Sequence, residues 1–198
     1  MQHRTTEQLM SCGKKVNMST ELPDLTGRQV IFDTNIFIKR HNEADEFLRD
    51  VGNPEVFHTD IITDELYRHL RRHGKPPDEA RALANRALEA FNSSRLPSDP
   101  VAEAIAGQIV QYLAAAGISD ETIEEEENDF LIVAYGTALG VDLLSSDKLF
   151  YTMGQMFSLG ITVHTILEKP PVNRFAELRD NLKEKGIQTP IDLTYLLE

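Results

Sequence analysis

Two short apolar runs in this chain each lead into an aspartate, and that feature constrains the fold more than any other. Residues 29–32 form a β-type run that stops at Asp33, and residues 141–144 lead through Ser145 and Ser146 into Asp147. Similar runs at residues 55–58 and 160–167 predict two more strands, and helical patterns separate all four. Alternation of this kind predicts an α/β domain with a mostly parallel central sheet. In such sheets ligands gather beyond the carboxyl ends of the strands, where connecting loops leave room. Asp33 and Asp147 both stand on that edge.

Turn and cap residues punctuate the rest. Residues 43–50 read as a helix, and residues 59–73 as another, with Asp60 or Thr63 available to cap it and Gly74 to stop it. Pro76 and Pro77 open a helix to about Asn92, and a turn over residues 97–100 leads to a second alanine-rich helix ending near Ala116. Ser119 or Asp120 caps one continuous helix to Leu139, closed by Gly140. A short helix is expected over residues 148–159, another over 173–185, and Thr189-Pro190 signals the start of a last one. The expected organisation is a flexible leader over residues 1–28, a domain over 29–168 with a helical insertion at about 76–117, and a C-terminal helical tail over 169–198. Met18 is a second candidate start.

Four separated segments bring acids toward the same edge: Asp33, Glu65, Asp129 and Asp147. Gathering like charge costs energy unless cations neutralise it. Oxygen-only ligands select hard cations such as Mg2+ or Mn2+, while the single cysteine, Cys12, and the lack of paired histidine motifs argue against zinc. Cys12 is expected to have no role of its own, and one cysteine allows no internal disulfide. From Glu65, the positions Arg68, His69 and Arg72 fall on the same helical face, and Arg71, His73 and Lys75 extend the basic cluster. The formal charge of −12 excludes attraction of nucleic acid by the overall field, so any RNA contact has to be local.

The segments VIFDTNIFI, DELYRHL and NDFLIVAYGTALGVDLLSSDKLF resemble the PIN-domain nucleases, over about residues 30–167. The last block is the most specific: Asp129, Ala134, Gly140, Ser145 and Asp147 match a helix of small and apolar residues, its glycine stop and a strand delivering a second acid. The resemblance implies a three-layer α/β/α fold with extra helices and metal-dependent hydrolysis of RNA. It implies Asp33, Glu65 and Asp129 as the principal ligands and Asp147 as a ligand or water-orienting base. Asn35 is implied to support Asp33, Ser145 or Ser146 to supply a hydroxyl near the metal, and Arg68, Arg72 and Lys75 are expected to contact RNA. A VapC-type toxin endoribonuclease held by an antitoxin and a transfer RNA processing nuclease both fit, and a non-cutting scaffold for RNA or protein is the reading from another class. A homodimer or higher homo-oligomer is a further expectation.

Simpler roles exist for each residue alone. Asp33-Thr34-Asn35 also fits a turn, Asp147 a helix cap, and residues 124–127 a solvated first turn. Phe130, Leu131, Ile132, Tyr135 and Leu139 read as core, and His164 as a residue at the sheet rim. A phosphatase-type nucleophile is disfavoured, because Asn35 stands where DxD chemistry needs a second aspartate, and no glycine-rich phosphate loop is present. Residues 1–27 lack a signal-peptide centre and no run is long enough to span a bilayer, so a cytoplasmic location is expected.

Overall fold

The computed structural model describes residues 17–19, 22–167 and 174–197. Cys12 and most of the expected leader lie outside them. In chain order the strands and helices are β1 (Asn17–Ser19), β2 (Gln29–Phe32), α1 (Thr34–Arg40), α2 (Ala44–Asp50), β3 (Glu55–His58), α3 (Asp60–Arg72), α4 (Pro77–Ala90) and β4 (Ser94–Arg95). They continue with α5 (Pro100–Ala115), α6 (Asp120–Glu125), α7 (Glu127–Leu139), β5 (Asp142–Ser145), α8 (Lys148–Met156), β6 (Phe157–Ser158), β7 (Val163–Ile166), α9 (Arg174–Glu184) and β8 (Ile191–Asp192). Short 3-10 turns occupy His41–Glu43 and Thr194–Leu197.

Six strands form one sheet in the order β1-β7-β5-β2-β3-β4, and every pairing in it is parallel. β2 sits in the centre, with Val30, Ile31 and Phe32 fully buried, as expected for a strand covered on both faces. Phe32 packs edge-on against Phe47 and Phe91, whose centroids lie 6.0 and 5.7 Å away. This aromatic cluster locks α2 and the end of α4 beneath the strand that delivers Asp33. On the other flank α7 packs along α5, with Ile132, Val133 and Ala134 wholly buried.

Several boundaries differ from the sequence reading, each for a local reason. The expected continuous helix over residues 119–139 is two helices, because Glu126 leaves helical geometry (φ −106°, ψ 8°). Ser119 caps the first, and Gly140, at φ 68°, closes the second in the left-handed conformation that glycine tolerates. Thr59, rather than Asp60 or Thr63, caps α3 by accepting from the Ile62 amide. Between the helix expected to end near Asn92 and the turn expected at residues 97–100 lies the short edge strand β4, and the helix expected over residues 148–159 stops at Met156 so that β6 can pair with β8. Beyond Thr189-Pro190 the chain forms β8 and a 3-10 turn instead of the expected α-helix. Within the expected leader, Asn17–Ser19 is an edge strand on β7 and Leu25 is fully buried, its amide bonded to the Val51 carbonyl. The tail is likewise part of the core: Leu178, Leu182, Ile191 and Leu193 are buried.

His164 is 3% exposed on β7, inside the sheet rather than at its rim. Its Nε2 lies 3.7 Å from Asp142, too far for a hydrogen bond. Asp142 accepts instead from Arg28 at 2.6 Å and from the Thr162 amide at 2.7 Å. No helix among the described residues is long and apolar enough to cross a membrane.

Candidate active site

β2 ends at Asp33, and the chain turns at once into α1. Asp33 occupies the N-cap position of that helix yet makes no capping bond with its side chain. Its Oδ2 accepts instead from Ser145 Oγ at 2.8 Å and from Asn35 Nδ2 at 3.3 Å. Among the described residues its Oδ1 has no hydrogen-bond partner. Ser145 reaches it because β5 runs parallel beside β2, with Phe32 opposite Leu144. The Ser145 hydroxyl also accepts from the Asp147 amide at 2.9 Å, so one hydroxyl ties the ends of both strands together.

Glu65 projects from α3 and is held from two sides. Thr34 Oγ1 donates to its Oε2 at 2.5 Å, and Asn128 Nδ2 donates to its Oε1 at 2.9 Å. These bonds join α1, α3 and α7 through a single carboxylate. The sequence reading missed Thr34 and Asn128, although each is the immediate neighbour of a singled-out aspartate. Their signal was present only as polar residues at helix starts, which are common enough to carry little information.

Asp129 stands in the first turn of α7, placed there by the break at Glu126. Burial pushes its carboxyl well above the usual range, and the charges of Asp33 and the neighbouring carboxyls of Glu126 and Glu65 push it further. Burial also raises Asp33, and Glu65 and Asp147 add to this, while the bonds from Ser145 and Asn35 oppose it; the result is about 6. Asp33, Glu65 and Asp129 therefore act on one another electrostatically, as residues from three remote segments can do only when the fold gathers them.

They line one open cleft of about 580 Å³ at the carboxyl edge of the sheet. Arg68, His69 and Arg72 share that cleft with Glu65, as the helical spacing predicts, and Glu124 to Glu127 also line it. Arg68 and Arg72 form no ion pair among the described residues. Lys75 lies elsewhere: it pairs with Glu79 at 2.7 Å and borders a separate apolar hollow of about 500 Å³ between α1, α3 and α4. Arg71 donates to the Lys75 carbonyl, and His73 packs its ring 4.3 Å from that of His69.

Asp147 is set apart from the other three acids. Its Oδ1 caps α8 by accepting from the Leu149 amide at 2.7 Å, and the side chain borders a smaller neighbouring cavity of about 220 Å³. It reaches Asp33 through charge and through Ser145. Ser146 faces another partner, accepting from Lys39 Nζ at 2.8 Å. Among the described residues, no three His, Cys, Asp or Glu side chains are closed around a single point as a finished metal site would be. The set of candidate donors nevertheless suits a hard cation: all are oxygen, and raised carboxyls mark a place short of positive charge.

The PIN domain family model matches residues 30–155, well over half of the chain. The chain is also similar to one in the crystal structure of VapBC2 from Rickettsia felis bound to a DNA fragment from their promoter. That likeness has a TM-score of 0.50 and 17% identity and covers 68% of this chain and 97% of the other, a resemblance of fold. No curated protein matches the sequence.

Proposed function

The chain belongs to the PIN-domain family, whose members are generally nucleases, and from that premise we propose that it is a metal-dependent endoribonuclease. The observation that carries the reading is the convergence of Asp33, Glu65 and Asp129 in one cleft, with Arg68 and Arg72 beside them. Asp33, Glu65 and Asp129 would hold Mg2+ or Mn2+, with Asp147 contributing charge from the end of the neighbouring strand. A bound divalent ion polarises the phosphodiester and lowers the pKa of water.

The chain's own residues do the rest. Ser145 and Asn35 fix the rotamer of Asp33, and Thr34 and Asn128 fix that of Glu65, so the carboxylates need no reorganisation when substrate arrives. Arg68 and Arg72 bind the backbone phosphates of a single strand. Glu124 to Glu127, which line the same cleft, repel that backbone and favour its phosphates lying against α3.

Among nuclease roles, the toxin type is favoured by the likeness to a chain of a VapBC structure. In that role an antitoxin protein restrains the activity, and the apolar hollow bordering the cleft through Ile38 and His69 lies close enough for a bound partner to reach the site. Growth arrest on expression of the chain alone, absent for Asp33→Asn, tests this. Specific 5′ trimming of precursor transfer RNA without growth arrest selects the processing role, and RNA binding without cutting in any metal selects the scaffold.

A further inference from the structure

Lys39 is an exposed cation in the last turn of α1, where the helix dipole favours positive charge. The dipole does not account for where its ammonium goes. Lys39 Nζ donates to Ser146 Oγ at 2.8 Å, across 107 residues of sequence, and forms no ion pair among the described residues. In a chain with 32 acidic residues, a lysine held by a hydroxyl retains its full charge for another anion.

Position gives that charge a use. Along the carboxyl edge of the sheet, β3 and β5 flank β2 on opposite sides. Arg68 and Arg72 sit on α3, which follows β3; Ser146 follows β5. Lys39 and the two arginines therefore stand on opposite sides of Asp33. Glu124 to Glu127 line the cleft with negative charge and repel phosphate, whereas the way over α1 leads to Lys39 and Ser146, with exposed Lys148 just beyond Asp147.

We infer that Lys39, oriented by Ser146, is a substrate-positioning residue that binds a backbone phosphate of single-stranded RNA on the β5 side of the scissile bond. The bound strand thus crosses the sheet edge from α3 over Asp33 to Ser146. This rests on the nuclease reading and adds a direction to it.

The test measures binding of a short fluorescent single-stranded RNA across a salt series, with magnesium present and Asp33→Asn as a non-cutting background. Adding Lys39→Ala is expected to weaken binding about three- to tenfold at low salt and to lower the slope of log affinity against log salt by about 0.7, the value for one phosphate contact on a single strand. Lys39→Arg restores both, Ser146→Ala gives a smaller loss with the slope kept, and Lys183→Ala on α9 changes neither. In otherwise unaltered protein, Lys39→Ala raises KM while kcat holds. An unchanged affinity and slope in Lys39→Ala, with Arg68→Ala still weakening binding, overturns the path while leaving the nuclease reading intact. Absence of RNA binding in every variant removes both.

Discussion

Asp33 carries a charge that its surroundings resist. Burial and neighbouring acids raise its carboxyl to about 6, from an ordinary value of 3.8. A carboxyl raised on folding favours the folded state only while protonated, so the metal-free protein is expected to lose stability as pH rises from about 4 through about 6. A divalent ion reverses that penalty and competes with protons for the same oxygens. Magnesium should therefore raise the melting temperature more at about pH 7.5 than at about pH 5; an equal gain at both would place the ion elsewhere. Asp33→Asn keeps the shape and lets Ser145 still donate, so it should melt at or above the parent temperature while cleavage falls by about two orders of magnitude or more. Asp142 shows the opposite sign. Burial alone would raise it, but the His164 ring 3.7 Å away and the bonds from the Thr162 amide and Arg28 together hold it at about 2. Its contribution is present above about 3.8 and lost as pH falls through about 2. Asp142→Asn should cost about 1–2 kcal/mol at neutral pH, allowing for screening of half-exposed Arg28, and the difference in urea denaturation should vanish near pH 2. The acids themselves were legible in sequence because strand ends and helix starts expose them. The capping posture of Asp147 and the clamps on Glu65 were not, since they depend on rotamers and on contacts between remote segments.

Within the elements, α7 is positioned by a residue that lacks a side chain. A Cβ on Gly136 would stand 2.9 Å from both the Val141 carbonyl oxygen and Ile161 Cδ1, and 3.1 Å from Leu143 Cδ2. Backbone cannot yield as a flexible side chain can. Gly136→Ala is therefore expected to destabilise the protein by about 1–3 kcal/mol despite the better helix propensity of alanine, and to misplace Asp129 enough to lower activity. A stability gain measured by thermal or denaturant melting would contradict this close approach. The sequence pattern located α7 and its glycine stop, because Gly140 follows an apolar helix directly. It did not reveal the break at Glu126: residues 120–127 all suit a helix, and nothing in that run marks where α6, which packs against α5, gives way to α7. Short pieces such as β4 and β8 escaped for a related reason. Two residues have no period, so their pairing is decided by the sheet edge they meet.

At the scale of the molecule, the family match ends at residue 155 but the core does not. Leu178 and Leu182 on α9, with Ile191 and Leu193 beyond it, complete the packing over α5 and α8, and burying each such side chain contributes about 1.5–3 kcal/mol. Against a total stability of about 5–15 kcal/mol for a typical domain, truncation after Leu167 should yield an aggregating or molten chain, visible as lost cooperativity in thermal melting. A cooperative melt near the parent temperature would show the tail to be an accessory. The net charge of −12 also belongs here, because under the proposed nuclease function any attraction of RNA falls to the local cations of α3 and α1. The proposed metal-dependent nuclease is tested by incubating a mixed RNA pool, including precursor transfer RNA, with the pure protein and magnesium or manganese; cutting that disappears with EDTA and with Asp33→Asn is the expected result. Cutting that survives both would contradict it, and so would intact RNA in either metal from protein that still binds the pool.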